Sequence, residues 1–230
     1  MPATQLVFLH GFGEDERVWS DFLPFHSWSF STICPSYADW TDCATLADYA
    51  RKIISSLPLF DDFILVGHSM GGYIALEIAS KFPERVKKVV MLHSTFVADT
   101  QEKKINRDRT VELLAKKGTG FFIGPFLPNL FASASQELIS TLASRYRELP
   151  AAGLIAATKA MRDRTDFTTF IQTTDIPVLF ILGEQDALIS PESITRFVTK
   201  SVVILPNVGH LGTYEAPEAV AMAINQFVHV

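Results

Sequence analysis

The stretch Phe63-Ile64-Leu65-Val66-Gly67-His68-Ser69-Met70-Gly71-Gly72 decides how this chain is read. Four apolar residues lead into a serine flanked by glycines, and apolar residues at helical spacing run on from Tyr73 to Phe82. A strand, a sharp turn and a helix with a serine at the tip form the setting that exposes a nucleophile. Gly67 and Gly71 leave room where a Cβ would collide. The positive end of the helix faces any oxyanion formed at Ser69. Glycine-x-serine-x-glycine alone turns up by accident in about one chain in a dozen of this length, so the rest of the chain must carry the reading.

Other strands and helices alternate around this one. Gln5 to Leu9 is a short apolar run ending at His10-Gly11-Phe12-Gly13 and predicts a buried strand followed by a loop. Trp28 to Cys34, Val86 to Leu92, Pro177 to Leu182 and Val202 to Leu205 predict further strands. Leu46 to Leu57 and Ala216 to Val228 show helical spacing, with Pro217 suited to a first helical turn. Alternation of this kind predicts a parallel α/β sheet, and the near-continuous apolar strands agree with one covered on both faces. The rhythm breaks from about Asp99 to about Phe170. Glu102 to Lys117, Ser135 to Leu149 and Ala151 to Arg164 read as helices, and Gly118 to Phe131 as a loop rich in Gly, Pro and Phe. The expected organisation is a core of residues 1–98 and 171–230 with a helical cap inserted at 99–170.

Composition narrows the function classes. The 230 residues are 48% apolar, enough for a substantial single core, and the formal net charge of −5 argues against a nucleic-acid binder. No apolar run approaches membrane-spanning length, and Met1-Pro2-Ala3-Thr4 has no signal-peptide layout. Cys34 and Cys43 lack metal-like spacing and read as two reduced thiols in a cytoplasmic protein. No cofactor or metal is expected.

The motifs His10-Gly11-Phe12-Gly13, Gly67 to Gly72, Gly183-Glu184-Gln185-Asp186 and Gly209-His210 occur in the order found in α/β-hydrolases, and nearly the whole chain resembles that family. The resemblance implies a Ser69, Asp186, His210 triad. The residues agree with it: all three follow predicted strands, so they fall on the carboxyl edge of the sheet, where ligands bind. His210 is the expected proton carrier and Asp186 the group that orients it. Glu184 is the rival acid. His229 lies beside the C-terminus, His10 and His68 are expected to shape the site, and His26 has no assigned role. The expected oxyanion donors are the backbone N–H groups of Phe12 and Met70.

Two departures from the family pattern stand out. His-Gly arrives by residue 10, leaving no room for two strands that many relatives carry, so a six-stranded, wholly parallel sheet is expected. The glycines of a loop that follows the second strand in relatives are missing from Cys34-Pro35-Ser36-Tyr37-Ala38-Asp39-Trp40.

Candidate pocket residues are His93, Phe121, Phe122, Phe126, Leu130 and Met161, with packing of the cap onto the sheet as the plainer account for about half of the aromatic set. From Thr100 to Phe170 there are 11 Lys and Arg against 7 Asp and Glu, a net of +4, leaving −9 elsewhere. A basic cap could recruit an anionic substrate or an acidic acyl-carrier protein, although solvated helix faces explain it as well. The expected reaction is hydrolysis of a small or medium apolar ester through an acyl-enzyme. A triad-dependent lyase or C–C hydrolase is the alternative, and a non-catalytic receptor a third.

Overall fold

A computed structural model describes residues 4–59, 61–198 and 201–229. The strands are β1 (Thr4–Leu9), β2 (Ser31–Ile33), β3 (Asp62–His68), β4 (Val86–Leu92), β5 (Val178–Gly183) and β6 (Val202–Leu205). They form one sheet in the order β2-β1-β3-β4-β5-β6, with every pair parallel. Successive residues of β1 serve two cores. Val7 and Leu9 join the cluster under α2 (Leu46–Ser56) and α3 (Met70–Lys81). Leu6 and Phe8 join the one under α1 (Arg17–Phe22) and α11 (Pro217–His229). This two-sided burial explains why the strands read as unbroken apolar runs.

The chain leaves β1 toward β2 and then crosses back to β3 on the other side. The crevice beyond the carboxyl ends of β1 and β3 is therefore the topological switch point, where ligands bind in open α/β sheets. The His10 loop and Ser69 meet there.

Helices α4 (Gln101–Lys117), α5 (Thr119–Phe126), α6 (Gln136–Tyr146), α7 (Ala151–Arg162) and α8 (Thr168–Thr173) lie between β4 and β5. Three short helices complete the set: α9 (Pro191–Thr195), α10 (Gly212–Glu215) and α1 show no periodicity long enough to be read from sequence. Leu114, Phe122, Ile123, Leu127, Leu142, Tyr146 and Leu154 build a third apolar cluster between these helices.

Two local expectations are corrected. Residues 118–131 are not a loop but α5 followed by a 3₁₀ turn, Leu127–Leu130. Gly118, at φ 78°, ends α4 and starts α5, and packing of Phe122 and Ile123 outweighs the poor helix propensity of Gly120, Gly124 and Pro125. β2 is shorter than 28–34, because Trp28 turns inward: its Nε1 donates to the Leu23 carbonyl at 3.0 Å and its ring packs on Phe8 and Phe22. Among the described residues no helix is long and apolar enough to cross a membrane.

Candidate active site

Ser69 sits at φ 50°, ψ −113°, a conformation that costs on the order of 1–3 kcal/mol and holds only where the surroundings enforce it. The surroundings are backbone. A Cβ on Gly71 would lie 2.1 Å from the Leu9 carbonyl oxygen, and one on Gly67 would lie 2.4 Å from the Gly72 nitrogen. The Ser69 N–H donates to the Leu92 carbonyl at 2.9 Å, and the Ser94 hydroxyl donates to the Ser69 carbonyl at 2.7 Å. The turn is thus clamped between β1, β3 and the end of β4.

His210 Nε2 lies 2.9 Å from Ser69 Oγ, and His210 Nδ1 lies 2.8 Å from Asp186 Oδ2. Asp186 Oδ1 accepts backbone N–H bonds from Leu188 at 2.8 Å and Ile189 at 3.0 Å. Burial works to raise the Asp186 pKa, but the adjoining His210 imidazole outweighs it through charge and hydrogen bond, helped by His93. The carboxyl is held well below the usual range. An ionised Asp186 accepts from Nδ1–H and leaves Nε2 free to take the serine proton. Glu184, the rival acid, is exposed and accepts the Asn207 N–H. His229 is exposed at the end of α11.

The Phe12 and Met70 N–H groups have no hydrogen-bond partner among the described residues. The loop carrying Phe12 is held by a residue that sequence reasoning missed. Glu14 is buried, and its Oε1 accepts the Gly11 N–H and faces His68 Nδ1, while His68 Nε2 donates to the His210 carbonyl at 2.9 Å. A carbonyl can only accept and a carboxylate can only accept, so both His68 nitrogens carry protons. Burial pulls the His68 pKa down, but the Glu14 carboxylate overrides it and raises it. Against its own burial, Glu14 is lowered by His68. The sequence signal was available only in retrospect: an acid four residues past His10 and a histidine beside the serine.

A cavity of about 240 Å³ opens over Ser69. Of the expected pocket residues, Phe122, Phe126, Leu130 and Met161 line it. Phe121 does not: it is 59% exposed, because Phe122 and Phe126, four apart on α5, take the inner face and stack at 4.7 Å. His93 does not line it either. Its ring is fully buried behind the site, 3.6 Å from Asp186 Oδ2 and about 6 Å from the rings of His68 and His210. Burial pushes its pKa down to about 4, so it is a neutral backstop to Asp186. The Pro35 to Trp40 loop also stays outside the cavity. Tyr37 instead packs behind the loop that carries Phe12, stacking on His10 at 3.8 Å and donating to the His10 carbonyl at 2.6 Å.

The His210 loop touches the inserted helices directly. The His210 N–H donates to the Leu130 carbonyl at 2.7 Å. The Glu215 carboxylate accepts from Gly209 N–H at 3.0 Å on one oxygen, and from Ala132 and Ser133 N–H at 2.8 and 3.1 Å on the other.

A serine on a strained strand-to-helix turn at the switch point of a parallel sheet, in hydrogen-bond contact with a histidine and that histidine with an acid, defines the α/β hydrolases as a class. The model of the alpha/beta hydrolase family matches residues 6–223, and the chain belongs to that family. It is similar to the pimeloyl-[acyl-carrier protein] methyl ester esterase of Aromatoleum aromaticum, at 26% identity over 99% of this chain and 99% of that protein. It is 24% identical, over 97% of its length, to the biotin biosynthesis bifunctional protein BioHC of Teredinibacter turnerae, and spans 44% of that longer protein. A thermophilic esterase from Thermogutta terrifontis, solved with malate bound, superposes with a TM-score of 0.88 at 27% identity, covering 99% of this chain and 90% of that one.

Proposed function

We propose that this protein hydrolyses a small or medium carboxylic ester through an acyl-enzyme on Ser69. The observation that carries the reading is the unbroken contact from Ser69 Oγ through His210 to Asp186. As Oγ attacks the ester carbonyl, its proton passes to His210 Nε2, and Asp186 stabilises the imidazolium. The Phe12 and Met70 N–H groups receive the oxyanion, each worth about 3–4 kcal/mol to the transition state. His210 then returns the proton to the leaving alcohol. Water, deprotonated by His210, adds to the acyl carbon; the bond to Oγ breaks, and His210 returns the proton to Ser69 Oγ as the carboxylic acid leaves. Residues 99–170 act as the cap, supplying Phe122, Phe126 and Leu130 as the apolar wall for the acyl or alcohol chain.

Hydrolysis of short-chain p-nitrophenyl esters by the native protein and by Ser69→Ala tests this, together with fluorophosphonate labelling. If the native protein is folded and neither signal depends on Ser69, the reading is wrong. Intact esters alongside turnover of an acidic carbon substrate would point to a lyase or C–C hydrolase on the same residues.

An ester carried on an acidic acyl-carrier protein is a second form of substrate. The resemblance to the pimeloyl-[acyl-carrier protein] methyl ester esterase and the +4 charge of residues 100–170 favour it. A comparison of free and carrier-bound methyl esters checks it. The unpaired Cys34 and Cys43 fit a reducing, cytoplasmic setting.

A further inference from the structure

Opposite the apolar wall, the cavity is lined by charge. α4 turns Lys103, Asn106, Arg107 and Thr110 into it. These positions follow the i, i+3, i+4, i+7 spacing that carries apolar residues when a helix packs over a core. Arg164, which follows α7, and Asp99, which precedes α4, complete this end.

The buried Asp99 takes one guanidinium on each oxygen: Arg107 Nε donates to Oδ2 at 3.1 Å, and Arg164 Nη1 lies 2.6 Å from Oδ1. Arg164 also donates to the Val97 and Met161 carbonyls at 3.0 and 3.2 Å, and lies 4.5 Å from the Tyr73 ring centroid. It is fixed from several sides. Lys103 Nζ and the two terminal nitrogens of Arg107, in contrast, make no hydrogen bond among the described residues. Three cations face one carboxylate, a surplus of two positive charges. Burial, and then the Arg164 charge, lower the Lys103 pKa, as expected of cations crowded without enough counter-charge.

Ser69, Tyr73 and Arg164 line the same cavity, and the Arg164 guanidinium stands 4.5 Å from the Tyr73 ring. The nucleophile and the charged end therefore share a space of about 240 Å³, which fits a short carbon chain between them.

We infer that this end of the cavity is a carboxylate subsite, and that the ester cleaved at Ser69 carries a free carboxylate a short carbon chain from the scissile bond. Asp99 holds the Arg107 guanidinium by Nε and leaves its terminal nitrogens for the carboxylate, with Lys103 as a second donor. The reaction assigned to this substrate rests on the ester-hydrolase reading; the binding does not.

The test therefore has two arms. Glutarate binding to folded Ser69→Ala, followed by calorimetry at low and high salt, needs no turnover. Binding is expected to weaken with salt, and about tenfold or more in Ser69→Ala carrying Lys103→Gln or Arg107→Gln, with Lys103→Arg restoring much of the loss. Both residues are only partly covered, so these variants fold.

The second arm compares kcat/KM for methyl hydrogen glutarate with dimethyl glutarate, and for 4-acetoxybutyrate with its methyl ester. At least one acid is expected to exceed its neutral partner about tenfold, with the ratio falling toward one in Lys103→Gln and Arg107→Gln. Good turnover of neutral esters with no preference for either acid and no glutarate binding would overturn the subsite and leave the hydrolase intact. Glutarate binding unaffected by both substitutions also overturns it. Glutarate binding that depends on both residues, in a protein without Ser69-dependent ester turnover, would keep the subsite and remove the hydrolase reading.

Discussion

At the carboxyl edge of the sheet, backbone fixes the functional atoms; across the same cavity, α4 and α5 present side chains alone. The turn at Ser69 closes so tightly on β1 that a Cβ on Gly71 would strike the Leu9 carbonyl, and Asp186 is held by two N–H groups. Phe122, Phe126, Lys103 and Arg107 owe their places to which face of a helix turns inward. On the proposed reading, chemistry resides where geometry tolerates no change, and selectivity where a helix face can be rewritten without disturbing the sheet.

The largest effects that would break this contrast lie at the edge. Asp186→Asn and Ser69→Ala are each expected to lower kcat for a p-nitrophenyl ester by about 10⁴-fold or more, with the fold retained by circular dichroism. A loss under tenfold in either would remove the edge from the chemistry.

Next comes Glu14→Gln, which leaves a buried imidazolium without its counter-charge. Chemical denaturation should show a loss of roughly 3–5 kcal/mol, and adding His68→Asn should recover part of it. Additive losses would mean that the two groups are not a coupled pair.

His93 adds a pH signature. Its pKa is about 4 when folded and 6.5 when free. Between those values the unfolded chain binds the proton and the native one does not. Its contribution is complete above pH 6.5 and is lost as pH falls toward 4, about 3 kcal/mol in all. Asp186, His68 and His210 face the same ring, so the readout is the difference between native protein and His93→Gln in denaturation midpoints across that window. The variant should show the flatter curve.

The smallest effect sharpens the contrast from α5. Phe121→Ser should change stability by less than about 0.5 kcal/mol and leave ester kinetics alone, whereas Phe122→Ala should cost roughly 3 kcal/mol or more.

Legibility followed the same division. The six-stranded sheet and the positions of Ser69, Asp186 and His210 were readable because close backbone approach demands glycine, and glycine beside a strand end is visible in a sequence. Phe121 and Phe122 are adjacent letters of one type, and only the stacking partner at Phe126 decides which turns inward. Residues 118–131 carry the composition of a loop, yet the apolar cluster around Leu114 and Tyr146 folds them as a helix. The Glu14–His68 pair joins residues 54 apart, and the Asp99 cluster joins residues 65 apart, through contacts that no local pattern announces.

The bond from His210 N–H to Leu130, with Glu215 bridging both loops, has a consequence for anyone rebuilding this protein. Exchanging the segment between β4 and β5 for that of another protein, a natural way to seek new selectivity, would also replace a support of the His210 loop. A donor segment must supply a carbonyl at the position of Leu130 and two amides at those of Ala132 and Ser133. Otherwise the hybrid would gain a new pocket and lose the placement of His210 against Ser69.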